Sequence, residues 1–410
     1  MSPAELLRAA LAPLRYGAAP LLPPGSWLRT DEPVARLRRL ARQALDEVPP
    51  PPSLLQLPAG LLWAPLIGAQ ALRNLARHGE VAVEHRGRAR QLVDMLVCAW
   101  RLDISPANYY RFRLFEPEQR AQARQLIQPH ELRALHRRVN AGLDWGRLDR
   151  KPSFFAHCRA HDLPTPEVWA VAQDGEVRWL LAEERLPPRD LVLKATALRA
   201  GMAFERWTRD PQRDAWRRGE ELLDQAGLLA RLRERSRDKP CFVQERLRPH
   251  PELAGLALDG TLCTVRVVTW RAPDGQAGVI ELFFRMPSRA GTEVDNIGAG
   301  GIGAPLDLRT GRLMVAGGKG PAEYARHPAS GAPIEGRVLP CWEQLVPLCL
   351  RAHATVPEFP FVGWDVGLAE GGPTLLEANT MWGVPDAPFL GHTPYVQLAL
   401  ARLTPPPDRS

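Results

Sequence analysis

The chain has 410 residues, of which 45% are hydrophobic and 24% charged, as in soluble globular proteins with room for two or three subdomains. The best candidate for a membrane span, 54–69, is interrupted by Pro58 and Pro65, so no membrane-spanning helix is predicted. The first residues lack the clean apolar run of a secretory signal. Six cysteines without a CxxC pair indicate reduced thiols, not a zinc site or disulfides, and a cytoplasmic location is expected.

The net charge of +7 is concentrated at the front of the chain. Residues 1–150 contain 22 Arg against 14 Asp and Glu, a balance of +8, so the remainder sums to −1. A basic front third could contact an anionic membrane, polymer or acidic peptide. The alternative, which we prefer, is ordinary solvated helix faces in a protein that uses Arg in place of Lys. No nucleic-acid motif is present, so no nucleic-acid partner is expected.

The predicted elements change in kind near residue 148. Before it, amphipathic periodicity predicts helices at 33–47, 69–77, 89–101 and 117–140, the first followed by the stiff proline run 49–52. After it, strands and helices are mixed. Strands are predicted at 168–172, 191–194, 241–244, 263–270, 278–285 and 311–315, and helices at 214–235 and 342–354.

The segment FVGWDVGLAEGGPTLLEAN, residues 361–379, predicts a β-hairpin. If its turn is centred near Gly371, Asp365 lies directly opposite Glu377. Asn379 follows Glu377 by two residues, and side chains alternate with period two, so Asn379 shares the same face. The hairpin therefore presents two acids and an amide together.

Two carboxylates that face each other need a partner. At about 5 Å they repel by roughly 3 kcal/mol at an effective dielectric of 20. A hard cation between them reverses the sign, and two carboxylates with an amide oxygen suit Mg²⁺, or Mn²⁺ in its place. Removing one carboxylate from a metal-free site is then expected to relieve repulsion and stabilise the protein. The alternative is a surface hairpin with splayed acids.

Lysine is rare in this chain. Four lysines stand against 49 arginines, at positions 151, 194, 239 and 319. Arginine evidently serves wherever a generic cation is enough, so a remaining lysine is expected where a compact ammonium is needed, such as a phosphate site.

The order of these features resembles the ATP-grasp superfamily, which includes D-alanine–D-alanine ligase and biotin carboxylase. One branch, the sugar-transfer-associated ATP-grasp family found near polysaccharide biosynthesis functions, is matched most closely. The matching stretches span roughly residues 100 to 385 and include SPANYYRFRLF, PCFVQERLRPHPELAG, TVRVVTW, VDNIGAGGIGAPLDLRTGRL, HPASG and GWDVGLAEGGPTLLEANT.

The resemblance implies an α+β protein with an ATP-grasp fold, in which two subdomains hold ATP between them. The implied division is a helix-rich region 1–147, a small lid subdomain 148–248, a large subdomain 249–404 with the metal site, and a disordered tail 405–410. The implied chemistry is attack of a substrate carboxylate on the γ-phosphate of Mg-ATP, giving an acyl phosphate that an amine captures as an amide. The partners would be small-molecule or peptide carboxylates and amines.

The resemblance also implies which residues bind the nucleotide. Lys151 and Lys194 would contact its phosphates, Lys194 just before a loop that contains Gly201. Gln244 and Glu245 would form the hinge strand, where backbone groups read adenine and the acid takes the ribose hydroxyls. The loop departs from the family pattern, since Gly201 is its only glycine and no proline follows Lys194.

Metal and catalytic roles fall on the later strands. Asp365, Glu377 and Asn379 match the metal ligands of the superfamily. Alternation along the predicted strand 263–270 directs the Arg266 side chain inward, where it would stabilise the transferred phosphoryl group. The alternative is a structural ion pair between Arg266 and an acid not yet identified. Arg285 is assigned to the substrate side, together with His353 on a predicted helix.

The glycine run 298–303 matches GxGxxG, but Ala304-Pro305 follows where a dinucleotide-binding turn needs a helix. We reject that interpretation. The resemblance suggests instead a substrate-side loop in which Asn296, Gly300 and Gly301 hold an acyl phosphate or carboxylate. A plain glycine-rich surface turn is the alternative.

Two other functions stay open. An ATP-grasp kinase would phosphorylate a hydroxyl and release ADP without any amine. A non-catalytic nucleotide-binding subunit would bind ATP without turnover.

Overall fold

The structure is a computed structural model. It describes residues 29–46, 59–80, 82, 86–180, 182–195, 204–292, 294–318, 322–383 and 393–404. The predictions for the proline run 49–52, for Gly201 and for the tail 405–410 lie outside these residues.

Most of the described helices lie in the first 160 residues, and three lie further along the chain. They are α1 (Pro33–Asp46), α2 (Ala59–His78), α3 (Arg88–Leu102), α4 (Pro106–Arg111), α5 (Pro117–Ala121), α6 (Pro129–Val139), α7 (Gly146–Asp149), α8 (Lys151–Ala160), α9 (Gln225–Ser236), α10 (Trp342–Ala354) and α11 (Thr393–Leu403). No described helix is both long enough and apolar enough to cross a bilayer.

The strands form two antiparallel sheets. They are β1 (Val168–Gln173), β2 (Glu176–Trp179), β3 (Leu191–Ala195), β4 (Phe204–Asp210), β5 (Ala215–Arg218), β6 (Glu221–Leu223), β7 (Cys241–Glu245), β8 (Thr264–Arg271), β9 (Ala277–Met286), β10 (Ile302–Pro305), β11 (Ala316–Gly317), β12 (Glu323–Tyr324), β13 (Phe361–Ala369) and β14 (Gly372–Asn379). The first sheet has the order β2-β1-β7-β3-β4-β5-β6 and the second β12-β11-β10-β9-β8-β13-β14.

This architecture confirms the predicted α+β class with a helical region in front. The first sheet lies within 148–248 and the second within 249–404, although the subdomain boundaries themselves stay predictions. Helices α1, α6 and α11 pack against each other and share a core with Phe361, Val268 and Trp382 of the second sheet and its following turn. Inside that contact Arg38 is fully buried and pairs with Glu131 at 2.9 Å.

Asp365 of β13 lies opposite Glu377 of β14, as predicted. The strands leave the turn one residue out of the predicted register, and a β-bulge between Asp365 and Val366 restores it. All nine residues of β13 are buried, because β8 pairs with its other edge. Across that edge Asp365 lies opposite Arg266. The row Arg266–Asp365–Glu377 therefore crosses three strands on one face of the sheet.

Three predicted elements are wrong. The helix predicted at 214–235 begins only after its N-cap Asp224, whose carboxylate accepts from the Gly227 amide. The preceding residues form β5 and β6, joined at Gly219, whose φ of +57° suits a tight turn. Buried Trp216 in β5 stacks under the Arg209 guanidinium at 4.5 Å, a tertiary contact that overrides helical periodicity.

The other two errors have local causes. The helix predicted at 117–140 is interrupted before Pro129, where Gln128 and Glu131 form a capping box and start α6. The strand predicted at 311–315 makes only isolated bridges. Gly311 there has φ +66° and lies against the Trp342 indole, so the chain turns instead of extending.

Candidate functional site

A cleft of about 1010 Å³ is lined by residues of both sheets and by the start of α8. Most of the site residues predicted from the sequence line it. They are Lys151, Lys194, Arg266, Arg285, Asn296, Asp365, Glu377 and Asn379.

Asp365 is the most strongly paired acid of the cleft. Its carboxylate is only 5% exposed and accepts hydrogen bonds from two guanidinium groups. Arg266 contacts both oxygens, with Nη2 at 3.1 Å, and Arg285 Nη2 lies 3.1 Å from Oδ2. Burial alone would raise the pKa of Asp365, but the two arginines outweigh it and hold that pKa below its usual range. The structural alternative for Arg266 required an acidic partner, and Asp365 is that partner.

Glu377 is paired with a lysine from far along the chain. Lys151, the first residue of α8, places its Nζ 2.8 Å from Glu377 Oε2. Asn379 donates from Nδ2 to Glu377 Oε1 at 3.3 Å. Cations from α8, β8 and β9 therefore neutralise the facing carboxylates in this structure, and the repulsion predicted for the metal-free hairpin is relieved by ion pairs.

The donor set fits Mg²⁺. Two carboxylates and one amide oxygen on a single sheet face are the hard oxygen ligands that this ion prefers. Within the described residues no group of three or more His, Cys, Asp and Glu side chains is gathered, so a softer metal such as zinc finds no set of ligands there. Asp365, Glu377 and Asn379 would hold Mg²⁺ if Arg266, Arg285 and Lys151 moved from the carboxylates toward another anion.

Lys194 supplies a further cation. It lies on β3 in the first sheet, is partly buried and faces the cleft. Burial, with the positive charge of Lys151 as a second cause, lowers the pKa of Lys194 to about 8. A phosphate group beside it would restore a full positive charge.

The comparison with protein families decides the relationship. A sequence model described as sugar-transfer associated ATP-grasp matches residues 132–387. The chain belongs to this family. ATP-grasp proteins use ATP and Mg²⁺, so the cofactors expected from the sequence are confirmed. A search of curated proteins finds no match.

Solved structures similar to this family member are also ATP-grasp proteins. One is the ATP-grasp ligase PsnB complexed with minimal precursor, at 18% identity and TM-score 0.34, covering 64% of each chain. A second is D-alanyl-alanine synthetase A from Vibrio cholerae, at 11% identity and TM-score 0.36, covering 63% of this chain and 64% of that one. A third is biotin carboxylase from Campylobacter jejuni, at 10% identity and TM-score 0.38, covering 63% and 46%. Each match spans less than two thirds of the solved chain and carries no inference about activity.

The hinge-strand residues of this ATP-grasp chain lie away from the cleft lining. Gln244 on β7 is buried and donates to the Glu245 carbonyl at 3.3 Å. Glu245 pairs with Arg189 at 3.4 Å, and its amide donates to the Glu167 carbonyl. Their assigned contacts with adenine and ribose stay predictions.

The glycine loop of this ATP-grasp chain uses its amides internally. The Gly300 amide donates to the Ile297 carbonyl and the Gly301 amide to the Asn296 carbonyl, both at 3.0 Å. A Cβ at Gly301 would lie 2.2 Å from the Asp295 carbonyl oxygen, so close packing is the reason that a glycine is needed at this position. The loop is followed by strand β10, whereas a dinucleotide-binding turn would be followed by a helix. This agrees with our rejection of the dinucleotide fingerprint. Holding a substrate anion with these amides would require the loop to open.

Two further residues change the predicted site. His353, which was assigned to the substrate side, is fully buried and does not line the cleft. Its ring nitrogens contact Thr269 Oγ1 at 2.7 Å and the Phe359 carbonyl at 2.8 Å, so its role is structural.

Thr264 lines the cleft but was not predicted as a site residue. Its hydroxyl donates to Asp295 and accepts from Arg285 Nε at 2.9 Å, so it orients the arginine. Its parity with Arg266 on β8 was the available signal.

Proposed function

We propose that the protein is an ATP-dependent ligase that joins a carboxylate to an amine through an acyl phosphate. Family membership supports ATP as the energy source. The family's association with sugar transfer supports a role in polysaccharide or peptide natural-product biosynthesis. Buried cysteines are consistent with the reducing cytoplasm, which we propose as the location.

One observation carries the proposal: four cations of the cleft face two carboxylates. Lys151, Arg266 and Arg285 are held by Asp365 and Glu377, and Lys194 adds its charge from the opposite sheet. With Mg-ATP present, these groups can exchange partners, the carboxylates taking Mg²⁺ and the cations taking phosphates. No buried charge is then left without a counter-charge, so the exchange avoids the usual desolvation cost.

The reaction needs no nucleophile from the protein. A carboxylate oxygen of the substrate bonds to the γ-phosphorus while the bond to the β–γ bridging oxygen breaks, and ADP leaves. The amine nitrogen then attacks the acyl carbon, inorganic phosphate leaves, and the nitrogen loses a proton. Bound Mg²⁺ would supply charge neutralisation, while Lys194, Arg266 and Arg285 orient the phosphoryl group and stabilise its charge.

A thermal melt tests the nucleotide site first. We expect Mg-ATP to raise the Tm, whereas Mg²⁺ alone or ATP with a chelator does not. A ligand at 100 times its Kd adds about 2.7 kcal/mol of stability. Glu377→Ala should lose this shift, and Glu370→Ala, an exposed acid in the same hairpin turn, should keep it. The absence of any shift in the wild type would contradict an active ATP site.

ADP release then separates the candidate functions. A ligase releases ADP faster when a carboxylate and an amine are both present. ADP release on a hydroxyl substrate without any amine would identify a kinase. Mg-ATP binding without turnover on broad acid and amine panels would favour a non-catalytic subunit.

A further inference from the structure

Helix α3 has an unusual outer face. Its inner face, with Met95, Cys98 and Ala99, is buried in the core of the helical region. Its outer face exposes four large apolar side chains, which we call the α3 stripe. Their exposed fractions are 58% for Val93, 37% for Leu96, 42% for Val97 and 66% for Trp100.

The α3 stripe is continuous along the helix. At about 100° per residue, positions spaced by three and four fall on one side, within an arc of roughly 100°. Single exposed apolar residues are ordinary, but a contiguous apolar patch marks an interaction site. Leu72 of the neighbouring helix α2 is also 57% exposed.

Positive charge lies beside the stripe. On α3, Arg90 and Arg101 follow one edge of it, and exposed Arg73 and Arg77 lie on α2, which packs against α3. Among the described residues none of these four arginines forms an ion pair. The two helices together carry five Arg and one Asp, a balance of +4.

The single acid of these helices does not offset that charge at the stripe. Asp94 is only 14% exposed at its side chain and is already paired with Arg86 and Arg120. The outer surface of α3 therefore combines apolar side chains with uncompensated guanidinium groups.

We propose that the α3 stripe docks on an anionic lipid bilayer. Val93, Leu96 and Val97 would enter the boundary between headgroups and acyl chains, and Trp100 would lie at the headgroup level that suits its amphipathic ring. The arginines would extend to lipid phosphates. The stripe side chains are exposed by up to two thirds and therefore project from the surface. Projecting side chains can insert into a bilayer, whereas binding a peptide would require a groove.

This attachment is independent of the proposed function. Among the described side chains of α2 and α3 none lines the proposed catalytic cleft, so docking would leave the cleft accessible. It would bring the enzyme to a membrane surface without any spanning helix.

Vesicle flotation tests the proposal with the full chain. Vesicles of equal parts phosphatidylcholine and phosphatidylglycerol are expected to carry the protein at low salt, and pure phosphatidylcholine vesicles to carry at least tenfold less. Binding should fall as salt rises, since exposed charges are screened. The double variant V93S/W100S should lose binding at least tenfold, and R90Q/R101Q should lose it on the anionic vesicles.

A matched control uses apolar residues exposed elsewhere. Leu308 and Met314 are 51% and 48% exposed on the large subdomain, and L308S/M314S should bind as the wild type does. Circular dichroism melts should show all variants folded.

Three outcomes would overturn the proposal. One is a wild type that floats with neither vesicle. Another is V93S/W100S binding as strongly as the wild type. The third is a wild type that self-associates in light scattering and does not float, with V93S/W100S monomeric, which would make the stripe an interface between copies.

Discussion

Asp365 and Glu377 are both predicted metal ligands, yet their surroundings differ. Asp365 is enclosed by two guanidinium groups with side-chain exposures of 12% and 13%. Glu377 meets Lys151 where both side chains are partly open, at 31% and 23%. The free energy of an ion pair depends strongly on such exposure, so the two acids should respond differently to neutralisation.

Neutralising Asp365 should destabilise the metal-free protein. Asp365→Asn leaves the largely buried Arg266 without its counter-charge and Arg285 with only Asp295, at 3.8 Å, which costs about 3–5 kcal/mol. Glu377→Gln breaks a more exposed pair and should cost about 1 kcal/mol or less. Urea unfolding in chelator measures both, and both variants should lose the Mg-ATP shift.

This corrects the expectation that removing either acid would stabilise the metal-free protein. That expectation assumed bare facing carboxylates, whereas each carboxylate is already paired with a cation. An Asp365→Asn variant as stable as the wild type would show that the arginine pairs contribute nothing net.

At the scale of elements, the hairpin of β13 and β14 is the unit that carries the site. Gly363 lies opposite Asn379 in this hairpin. A Cβ on Gly363 would lie 2.6 Å from the Cβ of Trp382, which is fully buried against His136 and Tyr395. The strand therefore needs a glycine so that the turn after Asn379 can pack on the sheet.

Gly363→Ala should push Trp382 away and disturb Asn379. Overpacking of this kind costs about 1–3 kcal/mol, and the Mg-ATP shift should weaken. Gly371→Ala in the same hairpin is the control, because nothing lies within 4 Å of its added Cβ and Gly371 is not among the glycines with positive φ. Chemical unfolding with and without Mg-ATP checks both. Equal effects of the two substitutions would contradict the packing role.

At the scale of the whole molecule, buried titratable groups predict a stability maximum near pH 6.5. Glu281 is buried with both carboxylate oxygens unpaired within the described residues, and burial raises its pKa to about 8 despite opposition from Arg266. Burial lowers the pKa of His136 to about 3 and those of His130 and His353 to about 4.

The stability of the protein changes with pH wherever the folded and unfolded states bind different numbers of protons. Between about pH 4.5, the ordinary pKa of Glu281, and pH 8, the folded state retains the proton that the unfolded chain has released, so this group lowers stability by up to about 1.4 kcal/mol per pH unit as pH rises. Above pH 6.5 the histidines no longer offset this loss, and stability falls toward pH 8. Below pH 6.5 the unfolded chain binds protons on the three histidines that the folded state excludes, so stability falls again.

Denaturant unfolding from pH 4 to 9 measures both limbs. Glu281→Gln should flatten the alkaline limb and steepen the acid limb above about pH 4.5, because the Glu281 proton opposes the effect of the histidines there. A wild type with constant stability between pH 6.5 and 8 would contradict a protonated Glu281 in the folded state.

Sequence patterns were enough to predict that Asp365 faces Glu377, that Asn379 shares their face, and that Lys151 and Lys194 deserved separate notice, and both lysines line the cleft. The face rests on local physics, since side chains alternate with period two, and the scarcity of lysine singled out two positions. The glycine turn placed the two strands together, but the β-bulge that brings Asp365 opposite Glu377 has no sequence signal that we recognised. Family motifs added the fold and the cofactors.

Which charges meet depends on the three-dimensional fold. Arg266 and Asp365 are 99 residues apart and Lys151 and Glu377 are 226 apart, so no local pattern could pair them. The same holds for β5, where packing of Trp216 overrides a helical period, and for the loop amides of Gly300 and Gly301, which are used within their own turn. Pairing energies and packing depend on which segments meet in space, and periodicity along the chain carries no record of that.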